Sequence, residues 1–361
     1  MAYIVPKINI ENGLKIMLEN YRFIDLFAGI GGFRTGFERA GFECVFTSEI
    51  DSACQEVYEN NFGDKPFGDI TKIDPQDLPD FEVLLAGFPC QPFSISGRKL
   101  GFEDTRGTLF FNICQIIEEK QPEVVVLENV KHLIHHDEKK TFKVIINSLK
   151  ELGYKVSYQI LNAKDFGVPQ NRERIFIIAS KYKVFDFGQL KKKYPPQLRD
   201  FLDKEGDFEI LDKEEYTLIE NLRQQETGLL FAGYRNKGTW RNGVRPNTEH
   251  LSRVHRQPNR IYSVDGVHPT IPSQETSGRF FVYIPEQKLV RKLTINECYR
   301  LMGYPENFKR HKRLSENYKQ VGNSVAIPVI EAIAKSILTQ KLLIDEPQTG
   351  LVFTQNQMAY A

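Results

Sequence analysis

The stretch FIDLFAGIGG, residues 23–32, decides the fold. Its first half, Phe23–Phe27, is apolar enough to form a buried strand. Gly29, Gly31 and Gly32 then make a turn, and a helix is predicted from about Phe33 to Ala40. A strand, a glycine turn and a helix in succession let a ligand approach the backbone near a helix N-terminus. The spacing is not G-x-G-x-x-G, which disfavours a dinucleotide as that ligand.

Strands and helices alternate from this stretch to about residue 180. The pattern predicts further strands at 44–47, 83–86, 123–127, 155–161 and 174–180, and helices at 52–60, 108–120 and 140–152. This alternation is typical of an α/β fold with a doubly wound, parallel sheet. The hydrophobic periodicity of 329–342 predicts a last helix that returns to this sheet.

The composition changes near Lys181, where turn formers and basic residues become frequent. This change predicts a second, smaller domain that is mostly irregular or β. We assign 1–185 and 306–345 to the first domain, 186–305 to the second domain and a hinge, and 346–361 to a C-terminal tail. Thr294 and Glu297 have the spacing of a capping box, so a helix is expected to begin there.

The charges balance overall but are segregated locally. The chain has 48 basic and 47 acidic residues, for a formal net charge of +1. Between residues 235 and 260 the only acid is Glu249, and the basic residues there do not form a helical lattice with acids. The bias favours a surface that contacts phosphate over an ordinary solvated face. The basic residues of this segment are Arg235, Lys237, Arg241, Arg245, Arg253, Arg256 and Arg260.

The cysteine pattern argues against disulfides and zinc. There are five cysteines, and no two have the C-x-x-C spacing. We also find no signal peptide and no apolar run close to the length of a bilayer span, so we expect a cytosolic protein with reduced thiols. His132, His135 and His136 are interpreted as a solvated helix end, and no metal site is predicted.

The stretch GFPCQPFS, residues 87–94, places Cys90 directly after a buried strand. Such a thiol is either a packed small hydrophobe or a nucleophile. Glu128 ends another apolar strand, and Arg172 and Arg174 begin a third, where alternation puts both guanidinium groups on one face. Two further carboxylates suit a nucleoside, since Glu49 could accept hydrogen bonds from a ribose and Asp69 from an adenine amino group.

Taken together, these blocks make the chain similar to DNA (cytosine-5)-methyltransferases of the bacterial type. The matches run in the order of that family from about residue 23 to residue 330, and the Pro-Cys-Gln, Glu-Asn-Val and Gln-x-Arg-x-Arg blocks are highly specific. The matching segments are residues 25–32, 48–51, 68–70, 87–94, 128–130, 170–174, 291–305 and 320–325.

The resemblance implies a reaction and roles for the catalytic candidates. Cys90 matches the nucleophile that adds to C6 of cytosine, which makes C5 nucleophilic. Glu128 matches the carboxyl group that hydrogen-bonds the N3 and N4 edge, and Arg174 matches an arginine that contacts the base carbonyl. Arg172 matches a neighbour that orients the site. The target base must leave the duplex, and residues 91–107 resemble the loop that closes over it.

The same resemblance implies S-adenosylmethionine as methyl donor and S-adenosylhomocysteine as product. Ile50 departs from the family, since many relatives have a large aromatic residue there, and its packing on adenine should be weaker by roughly 1 kcal/mol. The implied cofactor-binding residues are Phe27, Gly29, Gly31, Glu49, Ile50, Asp69, Ile70, Pro89, Asn323 and Val325.

Double-stranded DNA is the implied partner, and the second domain corresponds to the target-recognition region. Gln257 matches a residue that fills the space left by the flipped base, and Arg260 could read guanine or contact phosphate. Ile271 stands where relatives have leucine. The predicted DNA-binding residues are Ser94, Ser96, Arg106, Arg256, Gln257, Arg260 and Thr270.

The resemblance further implies a bacterial, cytoplasmic and nucleoid-associated monomer, without contact to a membrane. It would be the modification half of a restriction-modification system, with a separate cognate endonuclease, or an orphan methylase. Three alternatives remain at this point: a tRNA cytosine-5 methyltransferase, a catalytically dead DNA-binding relative, and a nicotinamide-dependent dehydrogenase suggested by the glycine turn alone.

Overall fold

A six-stranded sheet organises the larger part of the chain. The computed structural model describes residues 21–89, 108–237 and 247–343. The sheet contains β1 (Arg22–Leu26), β2 (Glu43–Ser48), β3 (Val83–Gly87), β4 (Val124–Val130), β5 (Lys155–Asn162) and β7 (Glu173–Ser180), while β6 (Gln170–Asn171) lies outside it. The strand order is β2-β1-β3-β4-β7-β5. These strands begin and end within a few residues of the predicted positions.

The strand β7 does not run in the direction that the sequence predicts. β1 to β4 pair in parallel, but β7 is antiparallel to both of its neighbours, β4 and β5. The prediction of a fully parallel sheet is therefore wrong for this strand. The connection 163–172 between β5 and β7 is shorter than the roughly dozen residues that a parallel crossover needs.

Helices cover both faces of this sheet, so the predicted doubly wound architecture is confirmed. α1 (Gly32–Arg39) and α7 (Ile327–Thr339) contribute to the core on one face, and α3 (Leu109–Lys120) and α4 (Lys140–Glu151) to the core on the other. Successive residues of β3 and β4 alternate between these two cores, because side chains of a strand point to opposite faces. A strand that is buried on both sides needs the continuous apolar sequence seen here.

Local signals set several helix ends. The side chain of Asp51 accepts hydrogen bonds from Ala53 N and Cys54 N at the start of α2 (Ser52–Phe62), and Gly63 ends that helix with φ 86°. The predicted capping box is confirmed at α5 (Ile295–Arg300). There Thr294 Oγ1 accepts from Glu297 N, and Glu297 Oε2 accepts from Thr294 N.

A second sheet of five strands lies within residues 186–305. It contains β8 (Tyr216–Gln224), β9 (Leu230–Arg235), β10 (Arg260–Ser263), β12 (Phe281–Ile284) and β13 (Leu289–Lys292), in the order β13-β12-β10-β9-β8. β11 (His268–Pro269) instead pairs with β6 in a separate two-stranded sheet. Because β6 directly precedes β7 in the chain, this pairing joins the region to the larger sheet. The predicted β character is confirmed, whereas the domain boundaries stay a prediction.

One helical run of the described residues has the length and composition of a membrane span. Leu314–Thr339 is long and apolar enough to cross a bilayer by length and composition, with a mean hydropathy of 1.4. The structure divides it into α6 (Leu314–Asn323) and α7, and 61% of its most apolar window is buried inside the protein. Core helices of soluble proteins pass the same test, so the run is weak evidence for a membrane span.

Asp25 is expected to make stability depend on pH. It is fully buried on β1, and burial raises the pKa of its carboxyl to about 8. The unfolded chain releases this proton near pH 4, so between about pH 4 and 8 the folded state binds more protons. The free energy of unfolding should therefore fall as pH rises, by up to about 1.4 kcal/mol per pH unit. In urea titrations, Asp25→Asn should flatten this dependence.

The exposed residue Asp77 supplies the matched control. Asp77→Asn should reproduce the wild-type pH profile. An Asp25→Asn profile as steep as that of the wild type would mean that Asp25 is already ionised in the folded protein. That result would contradict the raised pKa of its carboxyl.

Candidate active site

A cavity of about 470 Å³ lies at the carboxyl ends of β1, β3 and β4. Parallel strands bring their carboxyl ends to one edge, and ligands of open α/β sheets bind at that edge. The predicted site residues that line the cavity are Phe27, Gly29, Glu49, Pro89, Glu128, Arg174, Asn323 and Val325. Residues from distant parts of the sequence therefore converge as the sequence analysis expects.

The glycine turn forms one wall of this cavity. Phe27, Gly29 and Gly31 have φ values of 60°, 56° and 83°, a conformation that strongly favours glycine. A Cβ atom on Gly32 would lie 2.8 Å from Val325 Cγ2 and 2.9 Å from Ser324 Oγ. The bare backbone thus lets the C-terminal segment approach the turn closely.

Glu49 holds the turn in place. Its Oε2 accepts a hydrogen bond from Gly29 N and its Oε1 accepts one from Asp51 N, both at 2.8 Å. Burial raises the pKa of this carboxyl. Each oxygen keeps a second lone pair, so Glu49 can still accept a hydrogen bond from a ligand.

The other predicted cofactor residues, Gly31, Ile50, Asp69 and Ile70, are not part of the cavity lining. Ile50 is 71% exposed, and Ile70 is buried. Asp69 caps a short 3-10 turn, where Thr71 N donates to its Oδ1 at 2.9 Å and lowers the pKa of the carboxyl. Their contacts with a cofactor stay predictions.

Glu128 and Arg174 form a charged pair at the floor of the cavity. Arg174 Nε lies 3.1 Å from Glu128 Oε1, and Glu128 is 9% exposed. Burial raises the pKa of Glu128, while the positive charges of Arg174 and Arg172 act in the opposite direction. The raised pKa favours the protonated form of Glu128, and a protonated carboxyl can donate a hydrogen bond to the edge of a base.

Asn129 connects two of the strand ends that line the cavity. Its Nδ2 donates a 2.8 Å hydrogen bond to Phe88 O, and both residues are buried. The bond ties the end of β4 to the segment that leads into Cys90. The Glu-Asn-Val block was the available signal, but its partner could not be identified from sequence.

Arg172 points into the protein and does not line the cavity. It is 2% exposed, and its Nη2 donates to Gly322 O at 3.0 Å and to Ser324 O at 2.5 Å. Burial lowers the pKa of this guanidinium to about 9. The predicted catalytic role of Arg172 stays a prediction, and its visible contacts support the turn at 322–324.

Several predicted residues lie outside the described part of the chain. They are Cys90, Ser94, Ser96 and Arg106, together with the predicted loop 91–107. The four described cysteines are half-buried or buried, and burial raises the pKa of each of these thiols, to about 12 for Cys44. None of these four has the lowered pKa of an activated nucleophile.

The predicted DNA-reading residues fall into two groups. Arg256 and Gln257 are exposed at a short turn. Arg260 instead donates from Nε and Nη2 to His255 O, at 3.1 and 3.0 Å, and Thr270 Oγ1 donates to Asn171 O at 2.8 Å. Within the described ranges, no group of three or more His, Cys, Asp or Glu side chains is placed to hold a metal.

Comparison with known proteins identifies the family. The sequence model of the C-5 cytosine-specific DNA methylases matches residues 21–339. The chain is 43% identical to the Type II methyltransferase M.NgoBI of Neisseria gonorrhoeae over 316 residues, which are 87% of this chain and 92% of that protein. It is 41% identical to M.HhaI of Haemophilus parahaemolyticus over 332 residues, covering 89% and 95%.

Solved structures support the fold. A DNMT2 of Spodoptera frugiperda has a TM-score of 0.62 at 16% identity, covering 88% of this chain and all of that one. A putative DNA modification methyltransferase from an Escherichia coli prophage has a TM-score of 0.62 at 21% identity, covering 89% and 99%. Together with the sequence matches, these findings establish that the chain belongs to the C-5 cytosine-specific DNA methylase family and is a DNA cytosine-5 methyltransferase.

Proposed function

We propose that this protein transfers a methyl group from S-adenosylmethionine to C5 of a cytosine that has been flipped out of duplex DNA, through a covalent bond between Cys90 and C6. The observation that carries the proposal is the convergence of Pro89, Glu128 and Arg174 on one cavity beside the glycine turn. Pro89, which lines this cavity, immediately precedes Cys90 in the sequence.

The chemistry assigns a role to each group. The Cys90 thiolate adds to C6, and electron density moves to C5, which then takes the methyl group. Glu128 hydrogen-bonds the N3 and N4 edge of the base and stabilises the charge that forms during addition. Arg174 lies close enough to Glu128 to hold that carboxyl in place and to contact the base carbonyl. The proton on C5 is then removed, and the Cys90 sulfur leaves as thiolate.

The cavity fits S-adenosylmethionine, which supplies the electrophilic methyl group when bound. The turn at Gly29–Gly32 exposes backbone where side chains would fill the space, and Glu49 retains acceptor capacity for ribose hydroxyls. Asn323 and Val325 also line the cavity. Phe27 adds an apolar surface, so the lining combines the polar and apolar groups that an amino-acid-substituted nucleoside needs.

Duplex DNA is proposed to lie between residues 186–305, as recognition domain, and the catalytic domain formed by 1–185 and 306–345. The relatives named above are Type II methyltransferases. On this basis we assign the protein to the modification half of a restriction-modification system, acting as a cytoplasmic monomer alongside a separate endonuclease.

Methylation mapping of the product tests the proposed reaction directly. Purified protein with S-adenosylmethionine and duplex DNA should convert one cytosine of a fixed sequence to 5-methylcytosine, read by bisulfite sequencing. Cys90→Ser should keep the fold and the affinity for S-adenosylhomocysteine but lose most turnover, because a serine hydroxyl is a much weaker nucleophile at neutral pH.

A trapping experiment separates covalent catalysis from other routes. Duplex DNA with 5-fluorocytosine at the mapped site should form a stable adduct with the wild-type protein and none with Cys90→Ser. Wild-type turnover in Cys90→Ser would contradict thiolate catalysis. In the methylation assay, tRNA in place of duplex DNA should give no 5-methylcytosine. A tRNA cytosine-5 methyltransferase would instead modify tRNA and leave DNA unmodified.

Glu49→Gln tests the proposed cofactor site. The amide keeps one acceptor oxygen, so one of the two backbone bonds to Gly29 N and Asp51 N is lost. Loss of that bond should weaken binding of S-adenosylhomocysteine about tenfold in calorimetry, corresponding to a charged hydrogen bond of about 1.5 kcal/mol. Glu59→Gln, on the exposed face of the nearby helix α2, should bind like the wild type. Equal affinities of the two variants would remove Glu49 from the site.

Arg256→Ala tests the proposed DNA surface. If Arg256 contacts a phosphate, the slope of log K against log salt concentration should become shallower by about 0.9, with the largest loss of affinity at low salt. Lys183→Ala is the control, since Lys183 is exposed just after β7, at the sheet edge opposite the cavity. A salt slope unchanged by Arg256→Ala would reject the phosphate contact.

A further inference from the structure

The segment Gly322–Ser324, which forms the end of the last turn of α6 and its C-cap, faces two regions at once. On one side its residues line the cavity proposed for the cofactor. On the other side, a Cβ atom on Gly322 would lie 2.5 Å from Pro272 O and 2.5 Å from Ser273 Cα. The backbone of the turn is therefore packed directly against the backbone of the recognition region, with no side chain between them to absorb a displacement.

Arg172 fixes the same turn from a third direction. Its Nη2 donates to the carbonyl groups of Gly322 and Ser324, which flank Asn323 in the chain. The residues just before it hold the recognition region, because Asn171 O accepts from Thr270 Oγ1 and Gln170 Oε1 accepts from Ile271 N at 3.1 Å. We call the contacts among 170–172, 270–273 and 322–324 the three-way junction.

The junction is energetically sensitive to small movements. Nε and Nη1 of Arg172 are buried and have no hydrogen-bond partner among the described residues. Burying a guanidinium costs free energy, and the cost is larger when some of its donors have no partner. Within the described part of the chain, only the bonds to Gly322 O and Ser324 O offset that cost at Nη2. A shift of the turn by a fraction of an ångström would weaken these bonds or press on Pro272 and Ser273, so the three segments must move together.

We propose that the three-way junction couples occupancy of the cofactor cavity to binding of DNA by the recognition region, with Arg172 as a positioning residue and Gly322 as the point of close contact. The proposal rests on the function proposed above. Coupling between two ligands is reciprocal, so each must strengthen the binding of the other by the same factor. Factors of roughly 5 to 150 are typical of such coupling.

The first experiment uses the wild-type chain and hydrogen exchange. S-adenosylhomocysteine, added without DNA, should slow amide exchange in peptides covering residues 268–277 as well as in those lining the cavity. Protection confined to the cavity-lining segments would overturn the coupling. An absence of any protection or binding would instead count against the proposed cofactor site, and so against the proposed function.

The second experiment measures the coupling factor in variants. Affinity for S-adenosylhomocysteine is determined with and without a saturating duplex that contains the mapped methylation site. The wild type should bind it at least about fivefold more tightly with DNA. Arg172→Lys and Gly322→Ala should reduce this factor towards one, because an ammonium cannot reproduce the planar two-carbonyl contact and a Cβ atom separates the two backbones.

Two substitutions serve as matched controls. Arg313→Lys changes an exposed arginine just before α6, and Gly188→Ala adds a Cβ atom whose close neighbours belong to the Asp186 side chain. Both should keep the wild-type factor. A folded Arg172→Lys or Gly322→Ala protein with the wild-type factor, or a wild-type factor of one, would overturn the proposal while leaving the methyltransferase function intact.

Discussion

The active site depends on the register of three parallel strands. Leu26 of β1 pairs with Ala86 of β3, and Gly87 of β3 pairs with Glu128 of β4. This register places the glycine turn, the segment leading to Cys90 and the carboxyl of Glu128 side by side at one sheet edge. A slip of one residue would turn Glu128 to the opposite face, because side chains alternate along a strand. The apolar residues that alternate between the two cores are what prevent that slip.

Burial then determines the electrostatics at this edge. Glu128 is nearly inaccessible, which favours its neutral form, while Arg174 at 3.1 Å favours its charged form. The strand that brings Arg174 to this position is the one that runs antiparallel to the rest. Its direction places the start of β7 next to the end of β4, so the chain reversal that departs from the predicted sheet is also what pairs the two groups.

Much of the fold can be predicted from local sequence signals. Contacts between residues that are distant in sequence cannot be predicted from those signals. The glycine turn, the capping box at Thr294 and most element positions rest on signals within a few residues, and they were predicted. The direction of β7 depends on a connection whose route the sequence does not specify. Nor does the sequence distinguish an arginine that reads DNA from one that binds the chain itself. Arg260 is predicted to contact DNA, and the structure adds bonds from its guanidinium to His255 O that the sequence did not indicate.

The same limit applies to the contacts of the 322–324 turn. Its motif was assigned to the cofactor alone, since Asn323 and Val325 match that part of the family pattern. The partners of the turn are Arg172 and the segment at Pro272, which lie far away in sequence. The cavity lining, the segment 170–172 and the segment 270–273 meet there, and each of these contacts involves at least one backbone atom. A backbone contact leaves no residue type to recognise, except the glycine that makes it possible.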